Sequence, residues 1–192
     1  MNPWPAIKLT QARQVALLLD GDLDESELPD DAIDVQAGYV AIKGNGSAAD
    51  AVDYIGHALP RLEAVAWAAQ VLDRESRVRE LPVRDRLALD HALRWLDEPS
   101  DANRRATQVA ALAANPRSAE HRLGLAVYYS GGSIADPGMP PLLAPPEACL
   151  RYAVAAVKSA AFRTDAPATV LGSALALAER AAEGGLPALT AA

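Results

Sequence analysis

The stretch "YVAIKGNGSAADAV", residues 39–52, has the residue types of a nucleotide-binding turn. Residues 39–42 are an apolar run of strand-like composition, and Gly44-Asn45-Gly46-Ser47-Ala48-Ala49 fits G-x-G-x-x-A. In a dinucleotide fold, glycines at this spacing let backbone approach a pyrophosphate at a helix N-terminus. That chemistry also needs a second parallel strand about thirty residues on, with an acid at its end. No strand-like run follows, and the only acid near that position, Glu63, falls in an amphipathic helical pattern. A P-loop fails as well, because no Gly-Lys-Ser/Thr follows Gly46. The turn therefore reads as a helix ended by Gly44 in a left-handed conformation, then a serine N-cap at Ser47.

Three histidines, His57, His91 and His121, are the next residues able to do chemistry. None sits in an H-x-x-x-H or H-E-x-x-H arrangement, so a metal site would need carboxylates gathered by the fold. They read as structural histidines, with one alternative kept: a hydrolase or small-ligand site assembled from them and nearby carboxylates in three dimensions. Ser130 and Ser133 in "SGGS" lack the G-x-S-x-G context of an activated nucleophile. Cys149, the one cysteine, has no partner for an internal disulfide and reads as a small core residue. No catalytic, metal-binding or cofactor-binding residue is assigned, and no cofactor is expected.

The elements that carry these residues read as helices. Half of the 192 residues are hydrophobic and only 5% aromatic, with a single phenylalanine. Alanine makes up about a fifth of the chain. Small side chains let helix axes approach closely. Residues 6–19 place Ile7, Val15 and Leu18 near one face of a first helix ended by Asp20-Gly21. A second spans "PDDAIDVQAGYVAIKG". Ser47, three residues before Asp50, caps a helix over about residues 48–59. Pro60 and Pro82 each open a helix, Ser100 caps another, and "RSAEHRLGLAVYY" supplies the next. Two alanine-rich helices follow the loop 130–146, which holds five prolines and three glycines. The expected fold is all-α: one domain of eight or nine helices stacked as irregular antiparallel hairpins. His-Ala-Leu recurs at 57–59 and 91–93, a tetratricopeptide period, but the other signature positions of that repeat do not follow.

Charge is unevenly placed. Asp20, Asp22, Asp24, Glu25, Glu27, Asp30, Asp31 and Asp34 fall in fifteen residues without Lys or Arg. The remaining 17 acids are balanced by 18 bases, so the net charge of −7 is concentrated there. No basic face invites nucleic acid, and the acidic segment would repel phosphate. The N-terminus lacks a basic region followed by an apolar core, and no stretch approaches eighteen uncharged apolar residues. A cytoplasmic protein without membrane insertion is the expectation.

Two stretches resemble an uncharacterised bacterial family, the DUF6931 family of unknown function. "HALPRLEAVAWAAQVL", residues 57–72, looks like its His-Ala-Leu-Pro, Glu-Ala-Val and tryptophan pattern. "YYSGGSIADPGMPPLLAPP", residues 128–146, looks like its Ser-Gly-Gly-Ser turn and polyproline loop. The resemblance covers about residues 35 to 185. Ala66 departs from it where a second aromatic is expected beside Trp67, and Leu62 where a charged residue is usual. The family has no established activity, so the resemblance supplies no catalytic residues. Genes for its members lie near type VI secretion genes, which implies an accessory or adaptor role.

The resulting expectation is a non-enzymatic module that binds another protein, a secretion-system component or its cargo. Residues 1–35 form an N-terminal helix and acidic segment, 36–186 the helical domain, and 187–192 a frayed tail. Candidate partner contacts are Asp24, Glu27, Asp30 and Asp31 in the acidic segment, and Met139, Leu142 and Leu143 in the proline loop. A third reading is a purely structural oligomer, which a solution mass would reveal.

Overall fold

The computed structural model describes residues 4–19, 33–136, 138–145 and 147–190. Among them the chain forms α1 (Ala12–Leu19), α2 (Val35–Asn45), α3 (Ala48–Ala58), α4 (Arg61–Val78), α5 (Val83–Asp97), α6 (Asp101–Ala113), α7 (Ala119–Tyr129), α8 (Ala148–Phe162) and α9 (Pro167–Thr190). The one β-pairing among the described residues is an isolated bridge. The chain is an all-α single domain.

Capping chemistry sets most of the helix starts. Ser47 Oγ accepts from Asp50 N at 3.2 Å while the Asp50 carboxylate accepts from Ser47 N at 2.7 Å, a reciprocal capping box. Asp34, Ser100 and Ser118 accept from the backbone N–H three residues on, opening α2, α6 and α7. Pro60 and Pro82 stand one residue before α4 and α5, in the cap position rather than inside the helix.

The core is built around α4. Residues 64 to 69 of this helix are all buried, and it packs on α5, α7, α8 and α9. A helix apolar on every side must be enclosed. Burying one large side chain such as Leu72 or Leu123 contributes roughly 1.5–3 kcal/mol. Alanines do the spacing: Ala153, Ala156 and Ala160 of α8 and Ala174, Ala178 and Ala181 of α9 are fully buried. Trp67 sits at the centre, its Nε1 donating to Ala174 O at 2.8 Å. Gly56 of α3 lies against the ring. A Cβ there would come 2.3 Å from Val154 Cγ2 and 3.0 Å from Trp67 Cζ3, so this crossing admits only glycine.

The described N-terminal residues pack on this core. Trp4 and Ile7 are buried, and Ala6 N donates to Ala182 O at 3.1 Å. The first helix begins at Ala12 rather than near residue 6, because Gln14 Oε1 accepts from Thr10 N and Gln11 N and holds that stretch outside the helix.

Residues 39–42 lie within α2, in keeping with the helical reading of that stretch, and no strand precedes the glycine turn. Other sequence expectations need correction. Gly44 is inside the helix, which ends at Gly46 with an extended φ of −100° rather than a left-handed one. His-Ala-Leu closes α3 at 57–59 but lies in the middle of α5 at 91–93, so the two triplets are not equivalent. Gly185 interrupts α9 with φ +64°. Past it the helix resumes to residue 190, and Leu189 is fully buried. Ala66 is buried too, so it belongs to the core rather than to a surface.

Candidate functional site

The connection from α7 to α8 is where apolar side chains meet solvent on a held backbone. It begins at α6. Ser100 caps this helix, Asp101 follows, and Arg104 and Arg105 lie three and four residues on, so both guanidiniums fold back to one carboxylate. Arg104 Nε and Nη2 donate to Asp101 Oδ1 at 3.0 and 2.5 Å, and Arg105 Nε donates to Oδ2 at 2.9 Å. These hydrogen bonds, Arg104 first and then Arg105, hold the Asp101 carboxyl below the usual carboxylate range.

The same guanidiniums grip the loop. Arg104 is 4% exposed and donates to Tyr128 O at 2.6 Å and Ser133 O at 2.8 Å, with its charge 4.9 Å from the centre of the Tyr128 ring. Arg105 Nη2 donates to Ser133 O and Ala135 O, both at 3.0 Å. Gly132 passes over Arg104 with φ +69°, and a Cβ there would lie 3.2 Å from Nη2. Tyr128 Oη donates to Ile134 O at 2.9 Å.

The loop then pairs with itself. Ser133 and Leu143 form an antiparallel bridge, Ile134 N donates to Leu142 O at 2.8 Å, and Ser133 Oγ accepts from Ala135 N and Leu142 N. Gly138, with φ +87°, and the bond from Met139 N to Asp136 O turn the chain at the tip. With the backbone held this way, Met139, Leu142 and Leu143 stay 64%, 58% and 74% exposed. Beside the clamp lies a cavity of about 460 Å³, lined by Arg61, Leu62, Trp95, Asp101, Arg104 and Gly131 among others.

The other expected residues are placed differently. Asp24, Glu27, Asp30 and Asp31 lie outside the described residues. Asp34 is the cap of α2. His57 is buried on α3 with Nδ1 2.7 Å from Asp53 O, and His121 on α7 has Nδ1 2.8 Å from Ala111 O. A carbonyl only accepts, so both Nδ1 atoms carry the proton. His91 lines a shallow groove between α5 and α6. Each histidine therefore keeps its own surroundings, and the described residues include no group of three His, Cys, Asp or Glu able to hold a metal ion. Ser130 Oγ donates to Val127 O, while the Ser133 hydroxyl is used by the loop. Burial pushes the Cys149 thiol up to about 12, so it stays neutral. Among the described residues, no helix is long and apolar enough to cross a membrane.

Sequence reasoning found the exposed loop side chains but missed Arg104 and Arg105, the residues that hold them out. The available signal was D-x-x-R-R in the first turn of a capped helix. That spacing is also common in helices that hold nothing. No curated protein matches the chain, and no solved structure does. The model of a family of unknown function (DUF6931) matches residues 39–182, which include all of α3 to α8 and the clamped loop, and the chain belongs to that family.

Proposed function

We propose that this chain is a non-enzymatic protein-binding module of the cytoplasm, and that its contact is the apolar ridge Met139, Leu142 and Leu143. One observation carries the reading. A buried arginine and its neighbour hold the loop backbone at Ser133 and Ala135, while the large side chains beyond remain in solvent. Large apolar side chains grouped on a surface favour a partner. A backbone already ordered spares binding much of the entropy it would otherwise cost. The nearby cavity offers a receptacle for a partner's side chain.

The partner we favour is a component or cargo of a bacterial type VI secretion system, for which this chain serves as accessory or adaptor. That assignment rests on the resemblance described above. The acidic residues Asp30 and Asp31 are the rival contact.

Affinity capture from cells of the source organism, followed by mass spectrometry, tests both parts. The bait is compared with a Leu142→Ser/Leu143→Ser variant and with an Asp30→Lys/Asp31→Lys variant. A protein lost only from the first variant, and retained by the unchanged bait at high salt, supports the ridge, because apolar contacts are little screened. Loss only from the second moves the contact to the acidic segment. An unchanged set in both variants defeats the reading, and captured proteins unrelated to secretion defeat the adaptor assignment.

A further inference from the structure

The cavity beside the clamp has a chemical bias of its own. Asp101 is the one acid that lines it, and its carboxylate is already held by Arg104 and Arg105. Two guanidiniums on one carboxylate leave a positive charge in excess. Arg61 adds a second. Its Nη1 reaches Ser130 O at 3.5 Å, the far limit of a hydrogen bond, and it has no carboxylate partner among the described residues.

Hydrogen-bond donors are left over as well. Trp95 lines the cavity and is 7% exposed, and its indole N–H has no acceptor among the described residues. Nε1 is not one of the sealed nitrogens, so this donor is accessible. Pro60, in the cap position of α4, provides no side-chain acceptor, which leaves the N–H groups of Arg61 and Leu62 without an intrahelical partner. The backbone N–H groups of Gly131 and Gly132 have no acceptor among the described residues either. Leu62, Pro99 and the Trp95 ring supply apolar wall.

We infer that this cavity binds a carboxylate carried on an apolar body. A carboxylate brings a negative charge and acceptors only, which suits a lining with cations and donors to spare. An inorganic phosphate has no body to set against Leu62 and Trp95, and neither has an aspartate or glutamate side chain. In a polypeptide, the last residue alone sets a carboxylate directly beside an apolar side chain. The occupant is therefore the partner's C-terminal residue, leucine or one of like character, which rests on the reading of a protein partner given above. The volume of about 460 Å³ accommodates it. A free organic acid of the same shape has the same chemistry, and the test separates the two sources.

The probes are N-acetylglycyl-leucine, its C-terminal amide, isocaproate and acetate. Each is titrated into the full chain at neutral pH, with calorimetry for affinity and proton–nitrogen NMR for location. With the peptide acid, the Trp95 indole and the Gly131 and Gly132 amides should shift, and the Trp4 and Trp67 indoles should not. The peptide amide should bind roughly tenfold more weakly or worse, because it lacks the charge. Acetate should also lose about tenfold, because it lacks the body. Arg61→Gln should weaken the acid about tenfold, and Trp95→Phe, which keeps a ring but removes the donor, about threefold. Both outcomes with isocaproate support the carboxylate site: equal affinity assigns it to a free acid, and weaker binding to a chain terminus. Leu142→Ser/Leu143→Ser should bind the acid unchanged, so failure of the ridge and failure of the cavity are told apart. Equal affinity for acid and amide overturns the proposal, and that comparison uses the wild-type chain, whatever a variant does to folding. Shifts that fall away from Trp95, or an acid that produces no saturable shift, overturn it too.

Discussion

Arg104 Nη2 lies 2.8 Å from the carbonyl oxygen of Ser133, a residue 29 positions later in the chain, and 2.5 Å from Asp101 Oδ1 in its own helix. One side chain therefore ties the first turn of α6 to the loop before α8. Its fork uses three separate acceptors, the third being Tyr128 O at 2.6 Å. A lysine has a point charge and no fork, so it cannot serve all three.

Arg104→Ala should cost about 2–4 kcal/mol in urea unfolding, since it removes a buried guanidinium and leaves the Tyr128 carbonyl without its donor. Arg104→Lys should fall between the two. More diagnostic is limited proteolysis. Cleavage should concentrate within residues 130–145 in both variants while α4 and α8 stay protected. Uniform proteolysis along the chain would mean that Arg104 supports the fold at large and not the loop.

The pH dependence of the clamp follows from Asp101. Its folded carboxyl titrates below the ordinary range because Arg104 and then Arg105 hydrogen-bond its charged form. A depressed folded pKa contributes stability above the unfolded value and loses it as pH falls through the folded value. Asp101 is 62% exposed, so solvent screens much of this and the effect is modest. Melting temperature should fall on acidification from about pH 4 downward, near the unfolded aspartate pKa. In Asp101→Asn part of that slope should disappear. If the variant and the wild type share one acid limb, the carboxylate does not help to hold the loop.

The contrast between helix and clamp shows what the sequence could reveal. Ser47 and Ser100 were legible as caps because a short polar side chain before an apolar run satisfies donors only three residues away. Close helix packing was legible because an alanine-rich chain poor in aromatics lets helix axes approach. Gly44 does not end α2, because a glycine suits a helix end but does not compel one, and the helix continues to Asn45. The start of α1 differs from the apolar pattern because Gln14 Oε1, three and four residues on, accepts from Gln11 N and Thr10 N and starts the helix there. Met139, Leu142 and Leu143 were identified from composition alone. Their exposure depends on Arg104 and Arg105 reaching carbonyls some thirty residues downstream, and carbonyls have no side-chain signature. The buried pair of Glu120 and Arg163 escaped for the same reason, since 43 residues separate its members.

That pair supports the last prediction. Glu120 is wholly buried on α7, and Arg163, just past α8, brings Nη1 to 2.8 Å from Oε1 and 2.9 Å from Oε2. Only Oε2 accepts a hydrogen bond from that nitrogen, and Oε1 is buried without one among the described residues. Arg163 Nε and Nη2 are buried without a hydrogen-bond partner among the described residues. Two desolvated ions with incomplete hydrogen bonding gain little over an apolar pair of similar volume. Removing one member is different, because it leaves the other charge alone in a low dielectric. Arg163→Met should therefore cost about 3–5 kcal/mol, while Glu120→Leu with Arg163→Met should come within about 1 kcal/mol of wild type. Urea unfolding of the full double-mutant cycle measures the coupling directly. Additive costs would show that the two charges do not depend on each other, and that packing at the α7–α8 contact governs both positions.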